Sequence, residues 1–178
     1  MSNDEGATPR ELLIESARRN NTSLLTPLLS ASPTTTATFL NTTTDALGAS
    51  ALHIAAQYGA YDVLDTLLDQ EGVEIDNPDR REGDTALHKA VRFVSDARGR
   101  GDREEEARGR GCVEILVDAG CDPRIRNKAK LRPVDLAEPR DGELRLVLQR
   151  AEMAMQLGGD VVEEDEEDGR EGPGSESD

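Results

Sequence analysis

Aromatic side chains are nearly missing from this sequence, with two Tyr, two Phe and no Trp among 178 residues. Cysteine and histidine are as scarce: Cys112, Cys121, His53 and His88 are the full set. Two cysteines, even with both histidines counted in, are too few for a disulfide framework, a four-ligand zinc site or an iron–sulfur cluster. No apolar run approaches the roughly 18 residues of a membrane-crossing helix. The opening Met1-Ser2-Asn3-Asp4-Glu5-Gly6 lacks the charged and then apolar pattern of a secretory signal. These absences predict a protein of the cytosol or nucleus, with reduced thiols, no bound metal or cofactor and no membrane contact.

Catalytic patterns are missing too. Gly99-Arg100-Gly101 lacks the strand-to-helix setting and spacing of a phosphate cradle. The carboxylates form long runs rather than isolated pairs beside apolar pockets, so they offer no tuned acid and base. Residues 163–168 are all acidic but lack the alternating ligands and central glycine of a calcium loop.

Acid is what the sequence has in excess: 37 Asp and Glu oppose 21 Lys and Arg, a net charge of −16. Residues 160–178 hold ten of those acids against Arg170 alone. Such a segment has too little apolar surface to offset its ordering entropy, so residues 158–178 are expected to form a disordered acidic tail, with residues 1–7 a flexible amino terminus. The tail repels nucleic acid phosphates and anionic lipids and attracts Lys- and Arg-rich proteins. A second charged stretch, residues 95–110, carries five acids, five bases and three glycines. It reads as a flexible insertion, with residues 102–108 a possible helical extension. Its Arg-Gly pairs are interrupted by Glu104-Glu105-Glu106 and lack aromatic neighbours, which favours a solvated insertion over an RNA-binding factor.

Self-comparison brings out a repeat. Ser50-Ala51-Leu52-His53-Ile54-Ala55-Ala56 and Thr85-Ala86-Leu87-His88-Lys89-Ala90-Val91 lie 35 residues apart. With Gly59 and the turn Asp118-Ala119-Gly120-Cys121-Asp122-Pro123, these segments resemble the ankyrin repeat family, whose unit of about 33 residues carries Thr-Pro-Leu-His early and a Gly-Ala-Asp-type turn late. The resemblance implies an all-α solenoid of about four helix-turn-helix units with short hairpin connections. The units fall at about 8–31, 48–79, 82–122 and 131–157; the outer two are degenerate caps, and the charged insertion lies inside the third. The Thr-rich residues 33–44 read as a connecting loop. Leu144, Val147, Leu148, Ala151 and Met155 form one apolar stripe of a last helix.

The same resemblance assigns the scarce residues. His53 and His88 occupy the signature position, where imidazole and the hydroxyl three residues before it satisfy backbone groups at a helix start. That commitment removes the usual base of Ser–His and Cys–His catalysis, and no reaction is expected. Thr85, Gly59 and Gly120 complete the structural signature, and Cys112 and Cys121 read as small packed hydrophobes, with a redox pair the alternative.

Ankyrin arrays bind proteins along a concave face of hairpin tips and first-helix residues. Alignment of the two central units places Gln57 with Arg92 and Tyr58 with Phe93, a pairing of large rings and Arg suited to an energetic centre, although the rings could instead fill space between helices. Hairpin tips would add Asp79, Arg80, Arg81, Glu82 and Asp84 as rim charges. Arg124, Arg126, Lys128, Lys130 and Arg132 occur at every second residue and would share one face of an extended strand. They would face an anionic partner surface or the chain's own acidic tail.

The expected partner is another protein, basic on its surface, and not nucleic acid; the array itself is expected to be a monomer. A short array joined to an acidic tail is similar in architecture to the small ankyrin chaperones of ribosomal proteins in fungi, which implies an escort or assembly factor. An inhibitor or regulatory subunit that masks an enzyme surface is the alternative.

Overall fold

The computed structural model describes residues 6–31 and 35–158. The tail at 160–178 and residues 1–5 lie outside them.

Local chemistry sets the helix boundaries. Thr8 opens α1 (Pro9–Arg19) with a capping box: its backbone N–H donates to Glu11 Oε2 at 2.8 Å, and its hydroxyl accepts from Glu11 N. Asn20, in the left-handed region at φ 53°, closes the helix, and Asn21 caps α2 (Thr22–Ser30). A short α3 (Thr36–Thr42) leads to two helix pairs, α4 (Ala51–Gln57) with α5 (Tyr61–Leu68), and α6 (Ala86–Arg100) with α7 (Arg103–Asp118). A four-residue α8 (Pro133–Leu136) and a long α9 (Gly142–Gly158) form the last pair.

The first helices α1, α4, α6 and α8 pack in one row, and the second helices α2, α5, α7 and α9 pack in a row behind it. One hydrophobic core runs the length of the stack through Leu13, Leu25, Ile54, Leu64, Leu87, Val91, Leu116, Leu144 and Leu148. Each unit buries its apolar face against its neighbours, at about 1.5–3 kcal/mol per large aliphatic side chain. No helix among the described residues is long and apolar enough to cross a membrane.

Two segments depart from the sequence expectation. Residues 36–42, expected as loop, are helical because Leu40 reaches the core at 4% exposure and Phe39 packs against it, which outweighs the weak helix preference of threonine. The insertion at 95–110 is a helical projection: α6 runs on to Arg100, Gly101 turns the chain at φ 73°, and α7 starts at Arg103 behind the Asp102 cap. Glu104, Glu105 and Glu106 occupy the first turn of α7, and Arg98 and Arg100 the last turn of α6, as the helix dipole favours. Arg98 bonds Glu106 at 2.9 Å, Arg100 pairs with Glu105, and Arg110 bonds Glu106 and Asp141 at 2.8 Å. One of the three glycines serves packing: a Cβ at Gly109 would lie 2.7 Å from Phe93 Cδ1 and Val94 Cγ2, so only glycine lets the two helices approach this closely.

Candidate protein-binding face

The two histidines stitch successive units together. In His53, Nδ1 accepts the Ser50 backbone N–H at 3.1 Å, and Nε2 lies 3.0 Å from the Asp84 carbonyl, in the finger of the next unit. In His88, Nδ1 accepts the Thr85 N–H at 3.1 Å, and Nε2 lies 2.9 Å from the Leu131 carbonyl, one finger further on. A ring nitrogen that accepts a backbone N–H carries no proton, so each imidazole is neutral with its proton on Nε2, donating to the carbonyl. Burial lowers the pKa of both. In the fourth unit Asp135 stands in the same place. It accepts the Arg132 N–H at 2.9 Å, and among the described residues no further finger follows for it to reach.

The fingers share a second feature, an Asx residue at the base whose side chain accepts the finger's own N–H groups. Asp45 Oδ1 accepts from Leu47 and Ala49, Asp79 Oδ1 from Glu82 and Asp84, and Asn127 Oδ1 from Leu131. Gly48, Gly83 and Lys130 take left-handed backbone at the corresponding turns, with φ of 77°, 68° and 65°. Lys130 is the exception among them, and its conformation breaks the expected row of cations.

These details revise several sequence expectations. Asp79 and Asp84 are not rim charges, being 5% and 0% exposed. Asp84 accepts from Arg92 Nε and from Asn127 Nδ2, both at 2.8 Å, while Lys89 Nζ lies 2.9 Å from Asp79 and Glu82 and 3.5 Å from Asp84. Burial alone would raise the Asp84 carboxyl, but the Arg92 and Asn127 hydrogen bonds and the charges of Arg92 and Lys89 hold it at about 2. Arg92 is therefore tethered to this network.

The cations at 124–132 do not present one face. Arg124 folds back on Asp122 at 2.9 Å, and Arg126 donates to the Lys130 carbonyl. Lys128 donates to the Arg80 carbonyl, and Arg132 pairs with Asp135 and Glu152. Cys112 and Cys121 are free and buried, and burial pushes both thiols up to about 12.

Five of the ten candidate binding residues come together. Gln57, Tyr58, Arg81, Arg92 and Phe93 line a cavity of about 310 Å³. Tyr58 is 44% exposed, with the Arg18 guanidinium 5.9 Å from its ring centroid. Phe93 is half-buried, wedged so that a Cβ at Gly59 would lie 2.5 Å from its Cε1, and it still borders the cavity. Gly59 and Gly120 both hold positive φ.

Sequence reasoning missed Arg18, Asp45, Leu47 and Asp96 in this cavity. Leu47, 53% exposed at a finger tip one residue before the Gly48 turn, was the signal available. Arg80 lines a neighbouring cavity and folds its stem over Gly48. Arg124, Arg126, Lys128 and Lys130 stand on the next finger. The projection of α6 and α7 extends the groove, because Ser95, Asp96, Gly99, Arg100 and Glu105 share a second hollow with Gln57, Tyr58 and Phe93.

Stacked helix pairs with fingers at one edge, and an open groove floored by an exposed aromatic, define a helical-repeat scaffold whose chemistry is recognition. The family description "Ankyrin repeats (3 copies)" matches residues 12–127. The ankyrin repeat-containing protein YGL242C of Saccharomyces cerevisiae is 39% identical over 158 residues, covering 86% of this chain and 83% of that protein. The chain belongs to the ankyrin repeat family, whose arrays are protein–protein interaction modules and are generally not enzymes.

Proposed function

We propose that this chain is an escort or assembly factor of the cytosol or nucleus that holds a segment of a basic protein in its concave groove while its acidic end screens the partner's charge. The observation that carries the reading is Tyr58: a large ring, 44% exposed at the centre of the groove and flanked by Arg18 and Phe93. Exposed aromatics with a nearby Arg are the usual energetic centres of interfaces. The preference for a basic partner rests on charge, because residues 6–123 net −8 and residues 160–178 net −9. Four arginines of the Arg-Gly insertion, Arg98, Arg100, Arg108 and Arg110, are tied to carboxylates, which argues against RNA as the ligand.

The groove's own charges favour a second reading. Arg18, Arg81, Lys89, Arg92 and Arg100 balance Asp45, Asp79, Glu82, Asp96 and Glu105, so the groove taken alone suits a tail-independent inhibitor or regulatory subunit equally well. Affinity purification of the full chain beside a chain ending at Gly159 separates the two. An escort loses most of its basic partner without the tail, whereas an inhibitor keeps its target. Once a partner is in hand, Tyr58→Ala is expected to weaken binding by about 2 kcal/mol or more, roughly thirtyfold. A loss under about 0.5 kcal/mol with the fold intact would remove Tyr58 from the interface.

A further inference from the structure

The two ends of the solenoid are finished differently. A terminal unit is expected to turn a polar face outward, since nothing stacks on it. The amino-terminal pair does so: among the described residues of α1 and α2 no large hydrophobic side chain is exposed. The carboxy-terminal pair does not. Leu144 and Leu148 of α9 are buried, but Leu146, Met153 and Leu157 are 45%, 62% and 65% exposed. At 100° per residue these three fall on one side of the helix with Arg150, along about 16 Å.

The charge of this unit is also reversed. Residues 124–158 carry eight Lys and Arg against five Asp and Glu, a net of +3 in a chain that is acidic elsewhere. Arg140, Arg150 and Lys130 form no ion pair with any described residue. The cationic finger lies beside the second half of α9, because Arg132 Nη1 reaches Glu152 Oε2 at 3.0 Å. The exposed stripe is thus an apolar ridge that carries the unpaired Arg150, with the cationic finger on the flank of α9 at Glu152, about 100° from Met153, an arrangement suited to a segment that carries aliphatic side chains followed by carboxylates.

The sequence supplies such a segment directly after α9. Gly158-Gly159 follows Leu157 and permits a reversal, and then come Val161-Val162 and the six acids of 163–168. Val161 is four residues beyond Leu157 and can reach up to about 13 Å, enough to lie against Leu157 and Met153 one turn earlier. A second copy stacking end to end would bring two +3 faces together, which charge opposes, while a tethered segment acts at an effective concentration in the millimolar range.

We propose that residues 161–168 dock in cis on the outer face of α9, Val161 and Val162 against Met153 and Leu157, and the acids against Arg150 and the cations of the last finger. The contact completes the cap that the fourth unit lacks and withholds the acidic tail until a basic partner competes for it. The docked contact stands whatever the groove binds; only its release by a basic partner rests on the proposed function.

The three methionines make the test specific, since Met153 lies on the exposed stripe and Met155 on the core-facing side. The full chain is treated with hydrogen peroxide, and sulfoxide formation at Met153 relative to Met155 is followed by mass spectrometry. Comparison is with full chains carrying Val161→Asp and Val162→Asp together, or Arg150→Glu. With the tail docked about four-fifths of the time, Met153 in the natural chain is expected to oxidise about fivefold more slowly than in either variant. In 1 M salt, where the screening length falls to about 3 Å, much of that protection is expected to disappear. Equal Met153-to-Met155 ratios in natural and variant chains at both salt concentrations would overturn the proposal. Protection that grows with protein concentration would overturn the cis assignment in favour of a second copy.

Discussion

The two central units and the carboxy-terminal unit share a position filled by different residues, and the difference separates two jobs that histidine does at once. His53 and His88 each accept a backbone N–H at the start of their own helix and donate to a carbonyl of the next finger. Asp135 does the first job, and its other bonds turn back on the Arg132 side chain instead of reaching another finger. A carboxylate suffices to cap a helix; a neutral, two-ended ring is needed to cap it and join it to a neighbour. The unit that ends the array has therefore kept the cap and dropped the link, leaving α9 with an unfinished outer face.

This contrast can be broken by mutation, and the largest effect is expected where the second link lands. Asp84 supplies the carbonyl that His53 reaches, and its carboxylate holds Arg92 and Asn127 from a fully buried position. Removing one partner of a buried charge network leaves the others uncompensated, so Asp84→Ala is expected to cost about 3–5 kcal/mol in urea unfolding. A cost under about 1 kcal/mol would show that the network is solvated and dispensable. His88→Ala strands the buried Thr85 N–H, leaves the Leu131 carbonyl with the Asn127 N–H as its remaining donor, cuts the link between units and opens a small cavity, for about 2–4 kcal/mol. Asp135→Ala loses a cap and a partly exposed pairing with the Arg132 side chain, about 1–1.5 kcal/mol. Equal losses for His88→Ala and Asp135→Ala would erase the distinction between linking and capping.

Acid should sharpen the same contrast. Burial lowers both histidine pKa values, so below about 6.5 the unfolded chain binds protons that the folded chain does not. Stability is then full above about pH 6.5 and falls as pH drops from there toward the folded values, by up to about 1.4 kcal/mol per pH unit for each histidine. Asp84, held at about 2, adds a separate loss that starts near pH 3.9 and runs down to that value. Denaturant midpoints measured between pH 7.5 and 5 check the first window, and His88→Ala is expected to shallow its slope.

The repeat was legible because Ser/Thr-x-x-His is a local device: the side chains that identify it bond to backbone three residues away. What escaped reading depends on residues distant in sequence or on competition between weak preferences. The projection at 95–110 carried its own signals in Asp102, Gly101 and the matched terminal charges, but three glycines and the lack of large apolar residues outweighed them. One of those glycines, Gly109, is an adaptation to Phe93 and Val94 on the opposing helix, a contact invisible along the chain. Residues 36–42 became helical through Leu40, whose burial depends on its neighbours in the stack. The alternating cations at 124–132 failed as a row because Lys130 adopts the left-handed turn that glycine fills in the other fingers. Of the groove, Gln57, Tyr58, Arg92 and Phe93 followed from aligning the units and Arg81 from its place at a hairpin tip, whereas Arg18 enters from the preceding unit with no motif to announce it.

With only two histidines in the chain, long-range proton–nitrogen NMR of the imidazoles gives two assignable ring patterns and tests the linking role without any partner. The structure predicts that at pH 7 both rings are neutral with the proton on Nε2 and the bare Nδ1 as acceptor, and that both titrate below 6.5. A ring protonated on Nδ1, or one that titrates at or above 6.5, would contradict the account of successive units joined through buried histidine.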